Sequence, residues 1–377
     1  MTDQIKDVIL SSSVNSGNAV TVAFDGETIA SVISGPSTGT SGLRLAAGYI
    51  DVHNHGAVGI DVNEADTDGL IEIAAFLARH GVTAWLPTLV PDSDENYRRV
   101  IEAIDRLMAI QSDMPIAQAV GVHYEGVFAN EKMCGALRPE FFKRFTGGEA
   151  AALPRLKSGV HMTTFAPEVE GGIELVRELK RLGWIASIGH TRADIETLNA
   201  AFSAGASHVT HFFNAMTGIH HRDVGVAGWA LTTAGVTFDI IADGLHVNPK
   251  MLDLACRAKS PENVLLISDS VAPTGLGDGV FELWGENISV TNGRTQNERG
   301  SIAGSVITMH DAVRRMLSLG FSTSEVEQMA SANPAKLLSL DAQMGAVEAS
   351  KRADLVIRDE NNDIVRVLVG GREVDLG

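Results

Sequence analysis

The stretch IDVHNHG, residues 50–56, ends an apolar run with two histidines that a single residue separates. The run, residues 45–52, is typical of a β-strand, in which residues i and i+2 point to the same side. His53 and His55 therefore project together from the end of this strand. A metal site would explain the pair, and so would chance, because 12 histidines are spread over 377 residues.

Seven more apolar runs, most with β-branched residues, follow the first one. Segments with a 3.6-residue period separate most of them, for example Gly172–Leu182 and Asp194–Ala204, and Gly81, Gly183 and Gly205 follow three such segments as helix C-caps. Eight strands alternating with helices predict an α/β fold of the (β/α)8 TIM-barrel type. A doubly wound open sheet is the alternative, but no G-x-G-x-x-G follows a strand to support its dinucleotide-binding form. The predicted strands are Tyr49–His55, Val82–Thr88, Ala119–Glu125, His161–Pro167, Ala186–His190, His208–Phe212, Thr237–Asp243 and Asn263–Asp269.

The two ends of the chain differ from this alternating region. Residues 1–47 hold short β-type runs without a helical period, and residues 341–377 return to β-type runs. We predict that these two ends pair into a small discontinuous β-sandwich domain beside a barrel that spans residues 48–340. A Gly-rich excursion, Ser270–Gly304, follows the eighth run and contains a possible hairpin; loops of this length are usually functional lids.

The formal net charge of −17 argues against two classes of partner. Nucleic acids and anionic membrane surfaces are both bound through clustered Lys and Arg, so we expect neither. A phosphorylated substrate stays compatible, because one arginine or one helix N-terminus can hold a phosphate. Two cysteines, no signal-peptide pattern and no apolar stretch of membrane-spanning length predict a cytoplasmic protein without a disulfide framework.

Polar residues stand at the C-terminal ends of the predicted strands. In a barrel these ends share one rim, where the active sites of such folds lie. Imidazoles and carboxylates together suit one or two divalent cations, zinc first and iron, manganese or cobalt next, whereas calcium and magnesium prefer oxygen ligands. Six side chains form this candidate metal site: His53, His55, Glu125, His190, His211 and Asp269.

The two carboxylates have different predicted roles. Glu125 is the natural bridge between two metals. A metal lowers the pKa of a bound water to about 7, and Asp269 could accept that water's proton and pass it to a leaving group. His123 shares the strand face of Glu125 and is a candidate partner of the ligands. The other histidines within the predicted strands and helices are expected to be structural: His80, His161, His208 and His310.

Several motifs resemble those of one known family. YIDVHNHG resembles the first-strand His-x-His of the amidohydrolase superfamily, and HYEGVF, GHTRA and THFFNAM resemble the metal segments of the N-acetylglucosamine-6-phosphate deacetylases within it. IADGLHV and ISDSVAPTG are similar to that family's seventh- and eighth-strand ends. IAGSVITMHDAV and NPAKLLSLD fit its closing segments, so the resemblance covers most of the chain.

The resemblance implies roles for the metal site. Glu125, His190 and His211 match the main metal ligands of the family. His53 and His55 match a second-metal pair that some members lack. Asp269 matches the catalytic acid and base.

The resemblance also implies substrate contacts. Arg222 matches an arginine that reaches the sugar phosphate from the neighbouring subunit of a homodimer. The other implied contacts are Ala136, Asn214, Ala215, His246, Ile302, Ala303 and Gly304.

The chain departs from the family pattern at three places. Where the family usually has the proline of E-G-P-F, this chain has Val127. Where the family usually has the proline of H-R-E-P-G, this chain has Val224. Many members have His or another polar residue where this chain has Leu137. A leucine side chain cannot hydrogen-bond a substrate, so these changes leave the metal chemistry intact and the identity of the amide open.

The sequence therefore predicts a metal-dependent hydrolase that converts N-acetylglucosamine 6-phosphate to glucosamine 6-phosphate and acetate. The same chemistry on N-acetylgalactosamine 6-phosphate or another N-acyl compound is the first alternative. A non-catalytic relative that binds a sugar is the second, against which the complete set of candidate ligands argues.

Overall fold

The structure is a computed structural model that describes residues 3–10, 19–35 and 42–377. Its strands are β1 (Asp3–Leu10), β2 (Ala19–Asp25), β3 (Thr28–Gly35), β4 (Arg44–Ala47), β5 (Tyr49–Asn54), β6 (Gly56–Ala57), β7 (Ile60–Asp61), β8 (Val82–Leu89), β9 (Gln118–Ala119), β10 (Gly121–Phe128), β11 (Val160–Phe165), β12 (Ile185–Ile188), β13 (His208–Val209), β14 (Thr237–Ile241), β15 (Val264–Ile267), β16 (Gly279–Leu283), β17 (Glu286–Thr291), β18 (Arg294–Gln296), β19 (Leu355–Arg358), β20 (Ile364–Val369) and β21 (Arg372–Glu373). Its α-helices are α1 (Thr67–Arg79), α2 (Asp94–Ile110), α3 (Glu149–Ala152), α4 (Gly172–Leu182), α5 (Ile195–Ala204), α6 (Gly225–Thr232), α7 (Pro249–Lys259), α8 (Met309–Ser318), α9 (Thr323–Glu327) and α10 (Asn333–Leu337).

Eight parallel strands form the barrel. They follow the order β5, β8, β10, β11, β12, β13, β14 and β15, and the short β9 pairs beside β8. Backbone bonds close the ring between its last and first strands, since the Asp269 N–H donates to the His53 carbonyl at 3.0 Å and the His55 N–H to the Ser270 carbonyl at 2.8 Å. The predicted (β/α)8 barrel is thereby confirmed.

The strands of the barrel are covered on both sides, which explains their continuous apolar runs. Every residue of β8 and β10 is buried. Side chains alternate along β8, so that Ala84 and Leu86 pack in one cluster with Ile50 and Met162, whereas Trp85 packs in the larger cluster that includes the apolar faces of the helices. Two-sided burial of this kind fixes which side chains remain for the rim.

The two ends of the chain form one seven-stranded sheet in the order β21, β20, β19, β4, β1, β2, β3. Side chains on one face of this sheet, such as Val22 and Leu355, pack into a separate small core. Val356 and Val367 lie on the other face and pack in the main cluster of the barrel. The predicted small β domain from both chain ends is confirmed, and its limits at residues 47 and 341 stay a prediction. No helix in the described part of the chain combines the length and apolarity needed to cross a membrane.

The excursion after β15 contains a three-stranded antiparallel sheet, β16–β18. The predicted hairpin turn at Thr291, Asn292 and Gly293 is present between β17 and β18. The run Phe281–Val290 before it is not one strand, because a further turn at Trp284 and Gly285 divides it into β16 and β17. The apolar side of this sheet, Leu283, Ile288 and Val290, is buried. It therefore packs down on the C-terminal rim of the barrel rather than extending into solvent.

The stability of the protein is expected to fall between pH 7 and pH 4 because of His310, at the start of α8. Burial, together with the charge of Arg358, lowers the pKa of His310 to about 4, and its ring stacks on Tyr49 with centroids 6.4 Å apart. The unfolded chain, with an ordinary pKa near 6.5, takes up a proton first as the pH falls. The folded state therefore loses this contribution progressively from about pH 6.5 to about pH 4.

Urea unfolding at pH 7 and pH 4 measures the effect. His310→Asn is expected to lose about 2–3 kcal/mol less stability than wild type over this interval, since a pKa difference converts at about 1.4 kcal/mol per unit. Equal losses in the two proteins would contradict the assignment.

Candidate active site

Strand ends bring the six candidate ligands to one rim of the barrel. His53 lies at the end of β5 and His55 directly after it, and Glu125 lies in β10. The remaining three, His190, His211 and Asp269, come two residues after the ends of β12, β13 and β15. All six are buried, and they form two groups whose ligand atoms lie within 4.8 Å of one another: His53, His55 and Asp269; and Glu125, His190 and His211.

Three of these residues have an unusual backbone conformation. The φ angles of His190, His211 and Asp269 are 48°, 33° and 49°. Positive φ is uncommon outside glycine and costs free energy, so it persists where the surrounding structure imposes it, often at functional sites. The chain turns sharply out of each strand at these points. This is why β13, the sixth strand of the barrel, ends at Val209 rather than at the predicted Phe212.

The first group is centred on one carboxylate oxygen. His190 Nε2 and His211 Nε2 each lie 3.0 Å from Glu125 Oε1, and 3.0 Å from each other. Ligand atoms bound tetrahedrally at zinc–nitrogen distances stand about 3.4 Å apart, so the three atoms need little movement to share one ion.

The second group lies against the other side of Glu125. His53 Nε2 and His55 Nε2 are 3.0 Å apart, and each is 3.4 Å from Asp269 Oδ1. His55 Nε2 also lies 3.3 Å from Glu125 Oε2, and His53 Nε2 lies 3.5 Å from Glu125 Oε1. Glu125 thus faces both groups, as a bridging ligand must.

The hydrogen bonds of two histidines favour a bound cation. The Nδ1–H of His190 is placed to donate to the Met133 carbonyl at 2.8 Å, and that of His55 to the Thr88 carbonyl at 3.2 Å. In the neutral rings this leaves a lone pair on each Nε2, directed at carboxylate oxygens and other nitrogens. Converging lone pairs repel unless a cation lies between them, so this donor set fits a divalent metal, and the outer hydrogen bonds orient the ligands.

Electrostatics favour a positive charge at the same place. Burial alone would lower the pKa of His55, but hydrogen bonds to Asp269 and Glu125 outweigh it and raise that pKa to about 10. Burial would also lower the pKa of His211, but the hydrogen bond to the Glu125 carboxylate outweighs it and raises that pKa to about 9. Burial would raise the pKa values of Glu125 and Asp269, yet the neighbouring imidazoles hold both pKa values below their usual range. The surroundings of these side chains therefore favour a positive charge between them.

Asn54, between the two ligand histidines, points the opposite way and joins β5 to β15. Its amide nitrogen donates to Ser270 Oγ at 2.7 Å, to Ser268 Oγ at 3.2 Å and to Asp51 Oδ2 at 3.3 Å. The two serines flank Asp269. One buried amide therefore fixes His53, His55 and Asp269 relative to each other.

Asn54→Ala is expected to destabilise the protein by about 2–4 kcal/mol in urea unfolding, because it leaves several buried polar groups without a partner. Asn287→Ala is the control, because Asn287 is exposed in the excursion Ser270–Gly304, called the lid from here on. It should change stability by less than about 0.5 kcal/mol. If Asn54→Ala had as small an effect as Asn287→Ala, water or a rearrangement would have to supply the hydrogen bonds that the buried polar groups lose.

A cavity of about 390 Å³ opens above the ligands. Of the predicted substrate contacts, six line it: Ala136, Asn214, Ala215, His246, Ile302 and Gly304. Ala303 is fully buried behind the wall. Arg222 lies outside it on an exposed loop, where its guanidinium contacts His221 Nε2 at 2.6 Å.

His246 is aimed into the cavity by its neighbour. Its Nδ1 lies 2.6 Å from Asp243 Oδ2, and the other oxygen of Asp243 accepts the backbone N–H groups of Leu245 and His246. Burial opposes the charge of this carboxylate, but the hydrogen bond from His246 prevails and lowers the pKa of Asp243. The Nε2 of His246 is thereby left for a ligand.

Sequence reasoning missed several residues of the cavity wall. Trp284 comes from the lid, and Lys132 and Met133 from the loop after β10. Leu137, noted as a departure from the family, also lines the wall and is buried. The length of the excursion indicated a lid, but no local pattern indicates which of its residues faces inward.

His123 and His208 are buried away from the cavity. His123 lies 2.8 Å from Thr164 Oγ1 through Nε2 and 3.2 Å from the Val52 carbonyl through Nδ1. His208 Nε2 lies 3.0 Å from Asp239 Oδ2. Because Asp239 also accepts the backbone N–H of His211, His208 supports a ligand indirectly.

A parallel (β/α)8 barrel with His, Glu and Asp side chains gathered at its C-terminal rim defines a barrel hydrolase of the metal-dependent type. Comparison with known proteins agrees, since residues 44–374 match the amidohydrolase family. The chain belongs to the amidohydrolase family and is a hydrolase acting on amide bonds.

Individual relatives are similar over most of their length. The chain is 34% identical to the N-acetylgalactosamine-6-phosphate deacetylase of Escherichia coli O157:H7, covering 87% of each chain. It is 35% identical to the N-acetylglucosamine-6-phosphate deacetylase of Bacillus subtilis, covering 87% of this chain and 83% of the relative. The crystal structure of the N-acetylglucosamine-6-phosphate deacetylase of Thermotoga maritima superposes with a TM-score of 0.90 at 28% identity and 99% coverage of both chains. A mutant of the Mycobacterium smegmatis enzyme in complex with N-acetyl-D-glucosamine-6-phosphate gives a TM-score of 0.89 at 27% identity, also with 99% coverage of both chains.

Proposed function

We propose that this protein deacetylates N-acetylglucosamine 6-phosphate, giving glucosamine 6-phosphate and acetate. The observation that carries the proposal is the pair of ligand groups joined at Glu125 beneath a cavity of about 390 Å³. The names of the relatives support the acetyl amino sugar phosphate as substrate class.

Zinc is the metal we propose, because three imidazoles or two imidazoles with a carboxylate are its usual catalytic donor sets. Glu125, His190 and His211 would hold one ion, and His53, His55 and Asp269 a second. A divalent ion in such a site lowers the pKa of a water molecule and polarises a carbonyl group.

The chain's own residues complete the proposed reaction. Asp269 accepts the proton of the attacking water and then delivers it to the departing amine. Asn214 and His246, on the wall of the cavity, contact the sugar. The rim loops and the lid limit the access of water to the ligands.

The phosphate is proposed to bind Arg222 of a neighbouring subunit in a homodimer. Arg222 lies on an exposed loop and outside the cavity of its own chain, so it is free to reach a second copy.

We place the protein in the cytoplasm, which suits its two unpaired cysteines, Cys134 and Cys256.

A second candidate substrate is N-acetylgalactosamine 6-phosphate. The relative from Escherichia coli O157:H7 is named for that sugar and is as similar as the others. The two sugars differ only in the orientation of one ring hydroxyl group, so the amide chemistry would be the same for both.

A panel of substrates tests the proposal. We expect release of free amine from N-acetylglucosamine 6-phosphate at a kcat/KM at least about 10⁴ M⁻¹s⁻¹, an ordinary enzyme value, and much slower reaction of the unphosphorylated sugar. A preference for the galactosamine compound selects the second candidate. Reaction only with unphosphorylated sugars would contradict the role of Arg222.

A further inference from the structure

The turn between β16 and β17 carries a large aromatic side chain. Leu283 pairs with Glu286, which leaves Trp284 and Gly285 as a two-residue hairpin loop. Their φ angles are 55° and 78°, as in a type I′ turn, whose first position favours Asn, Asp or Gly. Tryptophan is strained in this conformation, so contacts elsewhere must hold it there.

Two contacts hold the Trp284 side chain at the rim of the barrel. Its indole N–H donates to Asp61 Oδ2 at 3.0 Å, and Asp61 is a buried residue of the β6–β7 hairpin that follows His55. The edge of one ring also meets the face of the other between Trp284 and His55, with centroids 5.5 Å apart and planes at 77°. The lid is therefore docked beside the ligand groups.

Trp284 and Leu137 form an apolar corner of the cavity. Both line it, and both belong to one buried cluster in which Val271, Leu283 and Ala303 stand among the side chains behind them. This cluster makes that part of the wall apolar beside the ligand groups. A sugar needs polar partners for its hydroxyl groups, whereas the alkyl part of an acyl group gains free energy by leaving water.

We propose that Trp284, backed by Leu137, sets the length of the N-acyl group that the enzyme accepts. With the amide carbonyl at the ligand groups and the sugar toward Asn214 and His246, the acyl chain enters the apolar corner, and Trp284 closes that corner after one methyl group. Asp61 acts as a positioning residue that fixes the indole. The inference deepens the proposed function and rests on it for the orientation of the substrate.

An acyl-length series tests the proposal. The values of kcat/KM are measured for N-acetyl-, N-propionyl- and N-butyrylglucosamine 6-phosphate with wild type, Trp284→Ala, Trp284→Phe and Val280→Ala. Wild type is expected to favour acetyl over butyryl by at least about 100-fold, because a pocket discriminates about 10–200-fold per methylene. Trp284→Ala should reduce that ratio at least tenfold, whereas Trp284→Phe, which keeps a ring, should hold it within about threefold. Val280, exposed on the same hairpin, is the matched control, and its substitution should leave the ratio unchanged.

Binding supplies a second measurement. In an Asp269→Asn background, in which turnover is expected to be at least about 10³-fold slower, calorimetry should show that Trp284→Ala tightens the binding of the butyryl compound relative to the acetyl compound. If Trp284→Ala does not fold, Trp284→Leu replaces it in both experiments. An unchanged acetyl-to-butyryl ratio, or an equal loss for all acyl lengths, would overturn the role of Trp284 and leave the proposed function standing. If wild type instead hydrolyses another N-acylated amine, the proposed substrate is wrong, and the same acyl series on that amine decides for or against Trp284. Hydrolysis of no N-acyl compound at all would refute both.

Discussion

Asp269→Asn is expected to lower kcat by about 10³–10⁴ with little change in KM, since general acid–base catalysis is worth about 10²–10⁴-fold and Asp269 would act twice in one turnover. Asparagine has nearly the same size, and the backbone of residue 269 is fixed on both sides: its N–H donates to the His53 carbonyl at 3.0 Å, and its carbonyl accepts from the Ser305 N–H at 2.7 Å. The loss should therefore come from the missing proton acceptor rather than from misfolding.

Steady-state kinetics with Asp278→Asn as control checks this expectation. Asp278 is an exposed lid residue whose carboxylate accepts the backbone N–H groups of Asn292 and Gly293, so its substitution should leave kcat within about twofold. Metal analysis of both variants separates a lost base from a lost ion. Wild-type kcat in Asp269→Asn would remove Asp269 from the chemistry.

The sequence predicted the barrel well because its evidence was periodic and repeated. Eight apolar runs, each buried on both faces, specify eight parallel strands, and α4 was predicted residue for residue at Gly172–Leu182. Strand ends were less accurate. β13 is only two residues long, because the chain leaves the sheet to aim His211, and positive φ at a histidine has no signature in the sequence.

The candidate ligands could be predicted because barrel geometry converts distant strand ends into neighbours. The wall of the cavity could not, since its residues come from loops whose paths depend on tertiary contacts. Trp284 illustrates the limit: its inward position results from a strained turn and a hydrogen bond to Asp61, 223 residues away in the chain. Lys132 and Met133 lie on a short turn that no periodic pattern describes.

Glu125→Gln is expected to abolish stoichiometric metal binding and to lower kcat/KM by more than about 10³-fold. Of the two ligand carboxylates, Glu125 contacts histidines of both groups, with Oε1 3.0 Å from His190 and His211 and Oε2 3.3 Å from His55. Glutamine keeps the volume but loses the charge that offsets a divalent cation in a buried site, and a buried charge without compensation is costly.

Stability should report the same loss without reference to activity. A ligand that binds the folded state at 100–1,000 times its Kd stabilises it by about 2.7–4.1 kcal/mol, so a chelator should lower the unfolding free energy of wild type by about that amount. Glu125→Gln should be insensitive to the chelator, whereas Glu196→Gln, an exposed substitution on α5, should respond like wild type. If Glu125→Gln kept its metal and its chelator response, the imidazoles alone would hold the ion, and Glu125 would have to be assigned to the substrate instead.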